Sequence, residues 1–171
     1  MSQAHPIRLF VTHVWEVSED YLRVFEYLEG SANFFYKNFS TPEKPPVGSK
    51  EAMKEELRRQ IAPIECVIAL PDPYEKNQDL LTFQLLYAQA SHKPVVLMKR
   101  FGSAAAVPKP LADLANEVVE WDKRALVMRC AAKRAMRTRR AGTPSNSRST
   151  SARPRHSRAL EPQRSQPGRA A

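Results

Sequence analysis

The sequence predicts an α/β fold, a five-stranded parallel sheet with helices on both faces. Three observations predict it. Apolar, β-rich runs alternate with segments of helical periodicity about five times along the chain. Two runs, 66–70 (CVIAL) and 94–98 (PVVLM), are apolar throughout, as strands covered on both faces are. The spacers are long enough for the crossovers that parallel strands require. Right-handed crossovers leave few topologies at this size, and the three-layer, flavodoxin-like strand order 2-1-3-4-5 is the natural one.

The elements follow in order. Residues 7–12 (IRLFVT) read as the first strand. Ser18 or Asp20 caps a helix through Leu28, with Tyr21, Val24, Phe25 and Leu28 on one face. Residues 33–40 (NFFYKNFS) are aromatic and strand-like, and the loop 41–48 holds three prolines. Ser49 caps the next helix, where Met53, Leu57 and Ile61 repeat every four residues until Pro63 ends it. The strand 66–70 is broken by Pro71 and Pro73. A helix over 79–91 precedes the strand 94–98, and a short helix spans 111–115. Residues 117–121 form the last strand, and Asp122 caps a final helix from near Lys123 that extends to about residue 140.

Charge divides the chain. Residues 129–171 hold twelve basic side chains, eleven of them Arg, and one acid, Glu161, for a net +11. Residues 1–128 hold 15 basic and 17 acidic side chains, a net of −2. The overall +9 of the 171-residue chain therefore describes no single surface. The last segment contains no Val, Ile, Phe, Tyr or Trp, so it cannot bury enough apolar surface to offset its ordering entropy. The expected organisation is a lead at 1–6, a domain at 7–128 and a disordered Arg/Ser/Pro-rich tail at 141–171. Arginines without interleaved aromatics fit weak, non-specific phosphate attraction by the tail, not base reading.

Several classes are excluded. Two cysteines cannot form a disulfide framework or a Cys-rich zinc site, and the histidines show no metal-ligand spacing. No apolar run approaches the roughly 18–20 residues of a membrane span, and residues 1–6 carry no secretion segment, so a soluble cytoplasmic protein is expected. No GxGxxG, Walker A or GxSxG motif is present. A phosphoacceptor receiver would need acids at the end of the first strand, which instead ends in Thr12-His13.

In an open parallel sheet, ligands bind outside the C-terminal strand ends. This nominates His13 and Trp15 after the first strand, Asn38 in the loop 38–46 and Asn77 in the loop 71–77 as ligand-binding residues. Gln84 stands out on the following helix. It shares a stripe with Leu80 and Ala88, which places an amide on the inward face one turn into a helix that starts at the ligand edge. A buried amide needs partners for its acceptor and donors, supplied by nearby backbone or by a ligand.

Five segments in order carry a family resemblance: RLFVTHVW at 8–15, NFFYKNFSTPEKPP at 33–46, EELRRQIAPIECVIAL at 55–70, ASHKPVVLM at 90–98 and EVVEWDKRALV at 117–127. Over residues 7–128 the chain resembles the TIR-like domains of bacterial Thoeris antiphage systems. The resemblance implies a flavodoxin-like TIR fold and a signalling module that binds NAD, or cleaves it to a cyclic ADP-ribose-type signal. NAD would be substrate or ligand and no separate cofactor is implied. Self-association through the domain and a defence effector protein are the implied partners.

The resemblance also implies a catalytic glutamate nine residues before Lys93, four after an aromatic. Those positions here are Gln84 and Leu80. A Gln amide keeps the size and one acceptor of a glutamate but neither holds charge nor takes a proton. Losing a charge-assisted hydrogen bond costs about 1.5–3 kcal/mol, and losing transition-state charge stabilisation costs about 10²-fold in rate or more. Two expectations follow: another acid serves, with Glu75 and Asp79 nearest in sequence, or the domain is a catalytically inactive nucleotide-binding or assembly module.

Overall fold

The computed structural model describes residues 5–141. Its elements are β1 (Ile7–Val11), α1 (Glu19–Glu29), β2 (Tyr36–Asn38), α2 (Lys50–Ile61), β3 (Cys66–Ala69), α3 (Asp72–Lys76), α4 (Gln78–Ala90), β4 (Val95–Met98), α5 (Lys109–Leu114), β5 (Glu117–Val119) and α6 (Lys123–Ala141). All strand pairs are parallel, in the order β2-β1-β3-β4-β5. This is the flavodoxin-like order, with its switch point between β1 and β3. The expected tail lies outside the described residues, apart from Ala141, which ends α6.

Period-2 alternation sorts the strand side chains into two layers. Leu9, Val11, Cys66, Ile68, Val96 and Met98 face one cluster, with Tyr21, Val24 and Leu28 of α1 and Leu126 and Cys130 of α6. Phe10, Val67, Ala69, Val95 and Leu97 face the other, with Leu57 and Ile61 of α2, Leu81, Leu85 and Ala88 of α4 and Leu111 of α5. Burying each large aliphatic side chain contributes about 1.5–3 kcal/mol. The sheet is therefore sealed on both faces, and its strand ends are where its own backbone reaches the surface.

The two ends are closed by different polar groups. At the N-terminal end, Lys93 is buried, and its ammonium donates to the carbonyls of Ala62 and Ile64, each at 2.8 Å. This ties the approach to β3 to the approach to β4. At the C-terminal end, Thr12 Oγ1 accepts the Leu70 amide at 2.9 Å, bridging β1 and β3 at the switch point.

Several boundaries differ from the sequence expectation for local reasons. β2 is three residues long, not eight, because Asn33 takes a left-handed φ of 65° and Phe34 turns into the core. Pro71 and Pro73 do not simply break the chain after β3. They open the short helix α3, where the missing prolyl N–H would have had no intrahelical partner. β5 stops at Val119, and Trp121 lies beyond it with its indole N–H on the Lys99 carbonyl at 2.5 Å. Ser18, not Asp20, caps α1, accepting from the Tyr21 amide.

Thr12→Val keeps the side-chain shape but removes the acceptor of the buried Leu70 amide. The expected loss is about 1–3 kcal/mol of stability, read by urea unfolding.

Candidate functional site

The site edge is organised around His13, the second residue past β1. Its side chain is fully buried, and so is that of Gln84 on α4. Gln84 sits at that depth because Leu81, Leu85 and Ala88 pack α4 onto the sheet, carrying its neighbours inward. The Gln84 amide then meets the backbone of His13 in a two-point contact. Nε2 donates to the His13 carbonyl at 2.7 Å, and Oε1 accepts the His13 amide at 3.3 Å. Both polar ends of the side chain are thus used by backbone, as across a β-bridge.

The His13 ring is fixed as firmly. Nδ1 accepts the Trp15 amide at 3.3 Å, so the ring proton resides on Nε2. Nε2 donates to Gln60 Oε1 at 3.1 Å, and that oxygen also accepts the Thr41 amide at 3.2 Å. Gln60 Nε2 donates in turn to Glu56 at 3.0 Å. One amide side chain on α2 thereby joins the loops after β1 and β2. Phe10 and Trp15 pack on the imidazole, with ring centroids 5.5 and 5.6 Å away. Burial pushes the His13 imidazole down to about 4, and its hydrogen bond to Gln60 and the charge of Glu56 offset only part of that.

Of the residues nominated from sequence, the structure brings His13, Trp15 and Gln84 together. Asn38 and Asn77 serve their own neighbourhoods. Asn38 donates to the Tyr21 hydroxyl at 3.2 Å and accepts the Ser40 amide at 2.9 Å. Asn77 caps α4 by accepting the Leu80 amide at 3.1 Å. The two alternative acids are also engaged away from Gln84. Glu75 accepts from Arg100 at 2.7 Å, alongside Asp72 at 2.9 Å. Asp79 pairs with Lys50 of α2, whose hydrogen bond and charge hold its carboxyl below the usual range. Gln60 was missed by the sequence reading. It follows Leu57 by three residues, so the stripe argument that singled out Gln84 applies to it equally.

The cluster that results is neutral. Two amides, a neutral imidazole and backbone dipoles meet there, and the carboxylate nearest in the chain of hydrogen bonds, Glu56, is two links from the His13 ring nitrogen, through Gln60. A cavity of about 510 Å³ lies along α2 between Pro46, Ala52 and Tyr87, and Glu56 is its connection to this network. Among the described residues no group of three or more His, Cys, Asp or Glu is placed to hold a metal ion, and no helix is long and apolar enough to cross a membrane.

No family model and no curated protein matches the chain. Solved structures of similar fold include the following two. A conserved protein from Enterococcus faecalis V583 aligns with a TM-score of 0.52 at 9% identity, covering 75% of this chain and 99% of its own. A CMP N-glycosidase from Clostridium botulinum aligns with a TM-score of 0.40 at 13% identity, covering 73% of this chain and 98% of its own. The Enterococcus likeness extends to the fold alone.

Two outcomes are expected for stability. His13 is neutral when folded and titrates at about 4, below the roughly 6.5 of an unfolded histidine. Its contribution is complete above pH 6.5 and is lost as pH falls towards 4, by about 3 kcal/mol. Melting temperatures across that range should decline in the native chain, and His13→Asn should lack this component. Gln84→Glu places a carboxyl against the His13 carbonyl, which only its protonated form can satisfy. Its folded pKa is raised above the roughly 4.3 of an unfolded glutamate, so the variant should match the native chain near pH 4 and lose stability relative to it as pH rises.

Proposed function

We propose that the chain is a TIR-like signalling module of bacterial antiphage defence that works without cleaving NAD. It binds NAD or a derived nucleotide at the C-terminal edge of the sheet, or assembles with itself or an effector protein. The ordered sequence resemblance supports the module. The observation that carries the non-catalytic reading is the two-point contact between Gln84 and the backbone of His13.

The physical argument concerns charge. Breaking a nicotinamide–ribose bond builds positive charge on the sugar, and a carboxylate is the side chain that stabilises it. At this position the chain has an amide, and the amide is committed to backbone. Replacing it by a carboxylate would set two oxygen lone pairs against each other in a buried place, so the site is not one substitution away from such an enzyme. A neutral edge still binds a nucleotide through backbone groups, an imidazole and an indole.

The test uses the full chain with NAD, with and without phage lysate. Nicotinamide and cyclic ADP-ribose products are followed by chromatography, and binding of NAD and ADP-ribose by calorimetry. Binding without product is expected, and Gln84→Glu should gain no cleavage. Nicotinamide release by the unmodified chain would overturn the non-catalytic reading.

A further inference from the structure

Residues 14–17 lie between two fixed posts. His13 is held by Gln84 and Gln60. Ser18 is held as the cap of α1. The segment between them has few polar ties among the described residues. Trp15 N–H reaches His13 Nδ1 at 3.3 Å, and Glu16 pairs with Lys76 at 2.5 Å. The Glu16–Lys76 pair is about half exposed, where ion pairs hold weakly. It is also a tie across the switch point, from the loop after β1 to α3.

Trp15 itself carries two separate signs of strain. Its φ of 57° is left-handed, a region that a bulky side chain seldom adopts. Its indole N–H is buried and, among the described residues, has no acceptor. Val14 and Trp15 pack against the apolar layer that holds Phe10 and Leu80, and both strains persist while they do; an outward swing would give up that packing, free the backbone angle and bring the N–H to solvent. Gln84 keeps the His13 backbone in place, so such a swing would hinge between residues 13 and 14.

We propose that residues 14–17 form a lid, closed here over the switch point, whose opening transfers the Nδ1 acceptor of His13 from the Trp15 amide to a sugar hydroxyl of a bound nucleotide. The ligand half of this proposal rests on the nucleotide-binding reading above. The chemistry selects a hydroxyl. Nδ1 presents a lone pair, which accepts from a hydroxyl and repels a phosphate oxygen. The imidazole is kept neutral by its surroundings, so it offers an acceptor and not a charge. Lys76, the cation beside the lid, is already engaged by Glu16.

The test begins with amide hydrogen exchange on the unmodified full chain. The amides of residues 14–17 should exchange at least about tenfold faster than that of His13, which Gln84 binds. The chain has two tryptophans, so Trp121→Phe isolates Trp15 for acrylamide quenching. In that background Glu16→Gln should raise the quenching constant about twofold, because the exposed tie is cut. Trp15→Phe, which keeps a ring and removes the buried donor, should raise the melting temperature. Amides at 14–17 as protected as that of His13, or quenching unaffected by Glu16→Gln, would overturn the lid. ADP-ribose should change Trp15 emission, whereas inorganic phosphate should not. ADP-ribose that binds by calorimetry yet leaves emission and exchange at 14–17 unchanged overturns the lid and spares nucleotide binding. Fast exchange at 14–17 with no ADP-ribose binding does the reverse.

Discussion

The C-terminal edge of this domain depends on one amide. Gln84 reaches from α4 to the backbone of the second residue after β1 and uses both of its polar ends there. That contact fixes where β1 stops and where the loop after it begins. Because the contact is fully buried, each bond is strengthened by its low-dielectric surroundings, and each would be costly to leave unmade. The rest of the edge follows from His13 being immobile. Its ring can then hold Gln60 on one side and the Trp15 amide on the other.

The two ends of the sheet apply the same principle with different groups. A parallel sheet sealed on both faces leaves backbone polar groups to be satisfied at its ends. At one end a buried ammonium gathers two carbonyls, and at the other a threonine hydroxyl and two glutamine amides do the work. The end closed by a cation also carries a left-handed residue, His92 with φ 54°, at the turn before β4. The end closed by neutral amides leaves a strained tryptophan beside it, and strain of that kind persists where the surroundings over-determine it. What sets the second end apart is the buried Trp15 indole N–H, which has no acceptor among the described residues, at the edge where open parallel sheets bind ligands.

The fold was legible because each strand carries a distinct pattern. CVIAL and PVVLM read as strands covered on both faces, and the helices between them announced themselves by spacing, although Ser49 opens α2 without a side-chain cap hydrogen bond. Boundaries were less legible where a single backbone angle decides. Asn33 bends the chain before β2, and the two prolines after β3 start a helix that is too short to show periodicity. The site was legible in part. An amide on an apolar stripe marked Gln84, but the stripe could not say whether backbone or ligand would take its hydrogen bonds. Gln60 carried the same signal, an amide three residues after Leu57 and beside Ile61 on a buried helix face, but its helix does not start at the ligand edge, so topology did not point to it. Asn38 and Asn77 were placed at the right edge by topology, yet their short side chains satisfy local turns and caps instead.

The central claim is that the Gln84 amide belongs to the fold and not to a ligand. Its side-chain NH2 resonances, observed by NMR in the full chain, test this most directly. The proton facing the His13 carbonyl should be protected from exchange and should stay in place when NAD is added. A rapidly exchanging Gln84 amide, or one that moves as NAD binds, would contradict it.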